Sequence, residues 1–182
     1  MPPWINLPNL LTLLRLLLVP PIVLAILGAR PWLALALFAT AALTDVLDGA
    51  AARRLDVATR TGAYLDPVAD KCLLSGVFLA LAAARAVPWW FVAVVFGRDL
   101  YILSGVAAFL LFSRVRKFPP SAWGKLSTFV QVLTAAVWLA RAALELRVLD
   151  ALSPVMLWLC VAFTVWSGLH YTWRAFRLAQ ER

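Results

Sequence analysis

The sequence predicts an all-α integral membrane protein with six transmembrane helices, folded as a single domain over residues 1–182. Three observations predict it. The chain is 64% hydrophobic and only 14% charged, whereas soluble domains are about half apolar and a quarter charged. Six apolar runs, at residues 10–28, 31–49, 67–86, 89–112, 126–146 and 151–175, each approach the ~20 residues that a spanning helix needs. The bases flank these runs unevenly. Ten of them (Arg53, Arg54, Arg60, Arg114, Arg116, Lys117, Lys125, Arg174, Arg177, Arg182) lie on one side, against three (Arg30, Arg85, Arg147) on the other. Positive-inside bias puts the ten, and both termini, in the cytoplasm.

Run 1 is preceded and entered by NLPNLLTLLR, in which Asn9, Thr12 and Arg15 recur at i, i+3, i+6. On a helix that spacing is a slanted polar stripe. Such a stripe hydrogen-bonds a neighbouring helix, or, for an arginine so near the cytoplasmic surface, faces a phosphate or an acid. Gly28 and Pro31, Gly62, Pro88, Pro119-Pro120, and Asp150 with Pro154 mark the breaks between runs. Run 4 contains Arg98-Asp99, and charge within an apolar span forms an internal ion pair or marks a functional site. Run 5 is opened by Gly124-Lys125-Leu126-Ser127-Thr128. A lysine at a helix start opposes the macrodipole, which implies an anion nearby.

Several residues read as structural. Trp4, Trp32, Trp89, Trp90, Trp123 and Trp173 fall near run ends and suit interfacial anchoring, while Trp138, Trp158 and Trp166 fall mid-run and pack. Cys72 and Cys160 sit in apolar surroundings as small core residues. His170 is the only histidine and has no acid near it in sequence, so it reads as a packed or interfacial imidazole. The formal charge of +8 answers to anionic lipid headgroups, and no nucleic-acid partner is expected.

The chemistry concentrates in residues 44–71. Five of the nine acids in the chain lie between positions 45 and 70. Asp45 and Asp48 are spaced i, i+3, and Asp66 and Asp70 i, i+4, so each pair shares one face of a helix. Carboxylates brought together repel, and burying them is costly. Hard divalent cations, which take oxygen ligands, relieve that cost. So do bases, and Arg53, Arg54, Arg60 and Lys71 are close in sequence. Spacing alone leaves metal binding, ion pairing and ion transport open.

The residues Asp45-x2-Asp48-Gly49-x2-Ala52-Arg53-x8-Gly62-x3-Asp66-x3-Asp70 resemble the signature of the CDP-alcohol phosphatidyltransferase family. The resemblance implies transfer of a phosphatidyl group from CDP-diacylglycerol to an alcohol, with release of CMP. It implies two divalent metal ions, Mg²⁺ or Mn²⁺, on Asp45, Asp48, Asp66 and Asp70, with Asp70 also the general base. It implies contacts of Gly49, Arg53 and Thr59 with the CDP moiety, a place beside the donor lipid for Asn9, Thr12 and Arg15, and a homodimer. The chemistry suits the residues, because divalent charge offsets that of a pyrophosphate and an attacking hydroxyl must lose a proton. The positive-inside orientation then puts the active site at the cytoplasmic ends of spans 2 and 3 of a bacterial cytoplasmic membrane protein. There a soluble nucleotide meets a lipid donor. Arg98, Arg114 and Lys125 are candidates for a phosphate on the acceptor.

Within the family, NLPNLLTLLR, LDPVADK and Gly124-Lys125 with Thr128 resemble the branch making phosphatidylglycerol phosphate and cardiolipin. Arg98-Asp99 followed by an apolar run, and the ending Ala162-Phe163-Thr164…Ser167-Gly168…Tyr171, look more like cardiolipin synthases. The favoured acceptor is therefore phosphatidylglycerol, with glycerol 3-phosphate, the acceptor of phosphatidylglycerophosphate synthases, as the alternative. A rival of another class is a six-span transporter that binds cations. Such a protein spreads polar residues through the bilayer midplane, whereas here they gather at one edge.

Overall fold

The computed structural model describes residues 7–55, 60–112 and 122–180, and it is helical apart from short connections. Six helices follow in order: α1 (Leu7–Leu27), α2 (Pro31–Leu55), α3 (Arg60–Ala83), α4 (Trp89–Phe112), α5 (Ala122–Leu144) and α6 (Arg147–Gln180). Among the described residues, three stretches are long and apolar enough to cross a membrane, Leu10–Leu27, Ala122–Leu144 and Arg147–Arg174, and Pro31–Asp45 is a shorter apolar one. Thr59 and Arg114 lie outside the described residues.

The sequence sets the ends of these helices. Pro31 opens α2, where a missing N–H costs nothing because first-turn donors have no intrahelical acceptor. The tight turn before it closes α1 by two backbone bonds, Arg30 N to Ala25 O at 2.9 Å and Ala29 N to Ile26 O at 3.2 Å. Ala29 there adopts a left-handed φ of 51°, the C-terminal arrangement of a Schellman motif. Prolines inside helices, Pro20 and Pro21 in α1 and Pro154 in α6, are tolerated in membrane helices because neighbouring groups satisfy the freed carbonyls. Glu145 and Leu146 alone join α5 to α6, and Arg141 Nε donates to Asp150 Oδ1 across that hairpin at 2.7 Å.

Packing runs α3–α1–α2–α5–α6–α4, and α3 also reaches α4 and α5. The core between them holds Ile22, Phe38, Val77, Phe78, Phe91 and Leu139, all essentially sealed. Phe78 and Phe91 meet edge to face with ring centroids 5.1 Å apart, a favoured aromatic geometry. Gly76 lets α3 close on α1, since a Cβ there would come within 2.9 Å of Val19 Cγ1. Leu13, Leu17, Leu24, Trp158 and Trp166 stay exposed on the outside, as suits helices whose outer faces meet acyl chains rather than water.

The helices outrun the apolar runs. α2 continues to Leu55, α3 starts at Arg60, and α6 spans 34 residues. Hydropathy measures the bilayer, whereas backbone hydrogen bonding carries a helix on into polar residues. At about 1.5 Å per residue, α6 is well longer than a ~30 Å hydrocarbon layer.

Candidate active site

The site is built where α1, α2 and α3 converge. Arg15 is fully buried on α1. Its NH2 lies 2.7 Å from Asp45 Oδ1 on α2, and its NH1 lies 2.7 Å from Asp70 Oδ1 on α3. The acids are more open, at 48% for Asp45 and 34% for Asp70. The guanidinium is a planar fork of donors and can serve two carboxylates at once. Thr12, one turn before Arg15, is also buried. Arg15 of the polar stripe therefore faces the acids, which is one of the two partners expected for it.

Arg15, Asp45 and Asp70 line a cavity of about 290 Å³. Phe38, Ala41 and Ala42 of α2, Leu73 and Leu74 of α3, and Thr128, Phe129 and Val132 of α5 complete its wall. α5 thus closes the site opposite α1. Thr128 Oγ1 donates back to Gly124 O at 3.2 Å, and Lys125 stands exposed less than one turn before it. The result is a mostly apolar cleft with charge at one point, the form that ligand sites usually take.

The sequence places Asn9 on α1, Asp48, Gly49 and Arg53 on α2, and Asp66 on α3, and the side chains of all five lie outside the described residues. Asp45 and Asp48 share a face of α2, and Asp66 and Asp70 a face of α3, by their helical spacing. Among the described residues no group of three or more His, Cys, Asp or Glu forms a cation cage. Asp45 and Asp70 supply oxygens of the kind that hard cations take, and here both are engaged by the Arg15 guanidinium.

Arg98 is not part of this cavity. It belongs to a second cluster on the other side of α3, where Lys71 Nζ lies 2.5 Å from Asp99 Oδ2, Arg98 NH1 lies 2.7 Å from Asp99 Oδ1, and Arg98 NH2 donates to Ser167 Oγ at 2.5 Å. The charged pair in run 4 is thus an internal ion pair extended to α3 and α6. Sequence reasoning gave Arg15 an acid or a phosphate as partner without saying which acids, and it missed Asp99 as the partner of Lys71. The only signal for either is an unexplained charge on an apolar helix. His170 lies beside Trp173 with ring centroids 5.9 Å apart and the planes tilted by 52°, consistent with the packed or interfacial imidazole expected.

Comparisons with known proteins give consistent results. The sequence model of the CDP-alcohol phosphatidyltransferase family matches residues 5–166. A protein of Mycobacterium tuberculosis named "Probable phosphatidylglycerophosphate synthase" is 36% identical over 179 residues, covering 94% of this chain and 82% of its own. A Pectobacterium atrosepticum protein named "CDP-diacylglycerol--glycerol-3-phosphate 3-phosphatidyltransferase" is 34% identical, covering 91% of this chain and 92% of its own. A Bacillus subtilis protein of the same name is 31% identical, covering 94% and 97%.

Proposed function

This chain belongs to the CDP-alcohol phosphatidyltransferase family, and on that premise we propose that it moves the phosphatidyl group of CDP-diacylglycerol onto glycerol 3-phosphate. The class is settled by membership: the protein is a CDP-alcohol phosphatidyltransferase of phospholipid synthesis. The acceptor is our reading. The relatives' names favour glycerol 3-phosphate over phosphatidylglycerol, the acceptor that run 4 favoured. Asp99 pairs with Lys71, which gives the Arg98-Asp99 pattern a role in tying helices together and weakens its use as a sign of a lipid acceptor.

The observation that carries the proposed chemistry is the convergence of Asp45 and Asp70, from two helices, on one guanidinium at 2.7 Å each. Asp45, Asp48, Asp66 and Asp70 would hold two divalent ions, Mg²⁺ or Mn²⁺, whose charge offsets that of the pyrophosphate. Asp70 accepts the proton of the acceptor hydroxyl. The hydroxyl oxygen bonds to the phosphorus that carries the diacylglycerol, and the bond from that phosphorus to CMP breaks. Gly49, Arg53 and Thr59 contact the CDP moiety, with Arg53 supplying a fork of donors to phosphate. Asn9, Thr12 and Arg15 stand on the donor-lipid side, where Arg15 holds Asp45 and Asp70 in register. Lys125 and Arg114 take the phosphate of the acceptor. Arg98, held by Asp99 and Ser167, is not needed there.

The same reading includes six spans, both termini cytoplasmic, and the site at the cytoplasmic edge, on the asymmetry of bases. A homodimer follows from the family resemblance. The test is a competition. Purified protein receives CDP-diacylglycerol, Mg²⁺, and either labelled glycerol 3-phosphate or phosphatidylglycerol, and the lipid product is identified. Product from glycerol 3-phosphate alone supports the assignment. Product from phosphatidylglycerol alone restores the cardiolipin reading, and product only from inositol or serine removes this branch.

A further inference from the structure

At residues 70 and 71, α3 is gripped from two sides. Asp70 faces Arg15 of α1. Lys71 lies about 100° further round the helix, and its Nζ meets Asp99 Oδ2 of α4 at 2.5 Å. Arg98 NH1 donates to the other oxygen of Asp99 at 2.7 Å and Arg98 NH2 to Ser167 Oγ of α6 at 2.5 Å. The stem of Arg98 passes α6 at Gly168, where an added Cβ would stand 3.7 Å from Arg98 Cγ. One carboxylate therefore joins α3 and α4, and through Arg98 reaches α6.

α3 and α4 pack together further along, where Phe78 meets Phe91, but beside Lys71 packing adds little to the link. A cavity of about 600 Å³ opens between α3 and α4 and is lined by Lys71, Ser75, Gly97, Arg98 and Asp99 together with apolar side chains of α4. Lys71 keeps 38% of its side chain exposed, so its ammonium has room to leave if Asp99 releases it. At the ~5–6 Å radius that side chains reach on a helix, a rotation of about 10° carries a carboxylate about 1 Å. A misplacement of that size costs on the order of 10²-fold in rate.

We propose that Asp99 is a positioning residue for phosphatidyl transfer: by holding Lys71 it fixes the rotation of α3 and so the direction in which Asp70 presents its carboxylate. This rests on the reading of Asp70 as the base. A direct substrate role for Lys71 or Asp99 predicts a different signature, a raised KM for the acceptor.

The test is a double-mutant cycle on the full-length protein, with a second readout that does not depend on turnover. Asp99→Asn and Lys71→Gln each lower kcat about 10²-fold with KM for both substrates unchanged. The double variant is no worse than either single one, because both remove the same link. Asp99→Glu, which keeps the charge, recovers most of kcat. Cys72, expected from the sequence to be a core residue, is exposed, and maleimide labelling of its thiol, next to Lys71, changes rate in Asp99→Asn and returns towards the original in Asp99→Glu. Additive losses, a raised acceptor KM at constant kcat, or an unchanged Cys72 rate overturns the proposal. If Asp99→Asn does not yield monodisperse protein, Lys71→Arg against Lys71→Gln decides by the same criteria. Asp70→Asn separates the two failures. An active Asp70→Asn enzyme removes the base reading and this proposal with it, whereas an inactive one with an additive cycle removes the positioning role alone.

Discussion

Arg15 NH1 donates to Asp70 Oδ1 at 2.7 Å, across 55 positions of sequence, while NH2 of the same guanidinium meets Asp45 Oδ1 at 2.7 Å. One buried cation thus fixes the distance between two acids on different helices. Without it two like-charged, partly exposed carboxylates would face each other unneutralised.

Arg15→Ala is therefore expected to lower stability and turnover together. Removing one partner of a fully buried pair costs about 3–5 kcal/mol. Both acids here are a third to a half exposed, so about 1–3 kcal/mol is expected after solvent screening. Arg15→Lys should sit between wild type and Arg15→Ala, because a point charge cannot serve both carboxylates as a fork does. Thermal melts in detergent measure the order. An Arg15→Ala protein as stable as wild type would remove the clamp.

Asp70→Asn keeps the shape of the side chain and removes its ability to take a proton. The loss of a general base lowers kcat about 10²–10⁴-fold. Binding of CDP-diacylglycerol should survive, since the proposed CDP contacts are Gly49, Arg53 and Thr59. Equilibrium binding of labelled CDP-diacylglycerol beside steady-state rates separates the two effects. A variant retaining most of its kcat would exclude Asp70 as the base.

Divalent metal is expected to act on stability as well as on rate. EDTA should silence turnover, and Mg²⁺ or Mn²⁺ should restore it. A ligand that binds only the folded state raises stability in proportion to the logarithm of its concentration above Kd, about 2.7 kcal/mol at one hundred times Kd. The melting temperature should thus climb with Mn²⁺ in the wild type and stay flat in an Asp45→Asn, Asp70→Asn double variant. Equal climbs in both proteins would place the ion elsewhere.

The helices were legible because each apolar run is long enough to need one, and the breaks at Gly28–Pro31 and Pro88 fall where one helix gives way to the next, whereas Gly62 lies inside α3 and Asp150 and Pro154 lie inside α6. Their ends were less so: α3 begins at Arg60, several residues before its apolar run, since a hydropathy window stops at charges that a helix carries without strain. The acids were legible through fixed spacing within one stretch of chain. Their partner was not. Arg53, Arg54, Arg60 and Lys71 are near Asp45 and Asp70 in sequence, yet Arg15 reaches both and Lys71 turns to Asp99. Which helix lies against which is decided by packing, and a contact 28 or 55 positions apart leaves no trace in local periodicity. Arg98-Asp99 shows the same limit, because a pair on one helix has little meaning until α3 and α6 are in place.

The turn after α1 offers a test of stability away from the site. Ala29 holds a left-handed φ of 51°, and its Cβ makes that conformation cost about 1–2 kcal/mol. The two bonds that close the turn, Arg30 N to Ala25 O and Ala29 N to Ile26 O, keep it there. Arg85 is in the same state after α3, with φ 58°, closed by Ala86 N to Leu81 O at 2.8 Å and Arg85 N to Ala82 O at 3.0 Å. Glycine removes the steric cost but loses about 0.4–1 kcal/mol through the freer unfolded chain. The net gain for Ala29→Gly is then about 0.5–1 kcal/mol, or roughly 1–4 °C in melting temperature for a chain of this size. Turnover should not change, because Ala29 touches neither cavity. Ala29→Val is the opposing variant and should lower the melting temperature, since a β-branched side chain is disfavoured at positive φ. If Gly destabilises and Val does not, the turn is held by something other than these two hydrogen bonds.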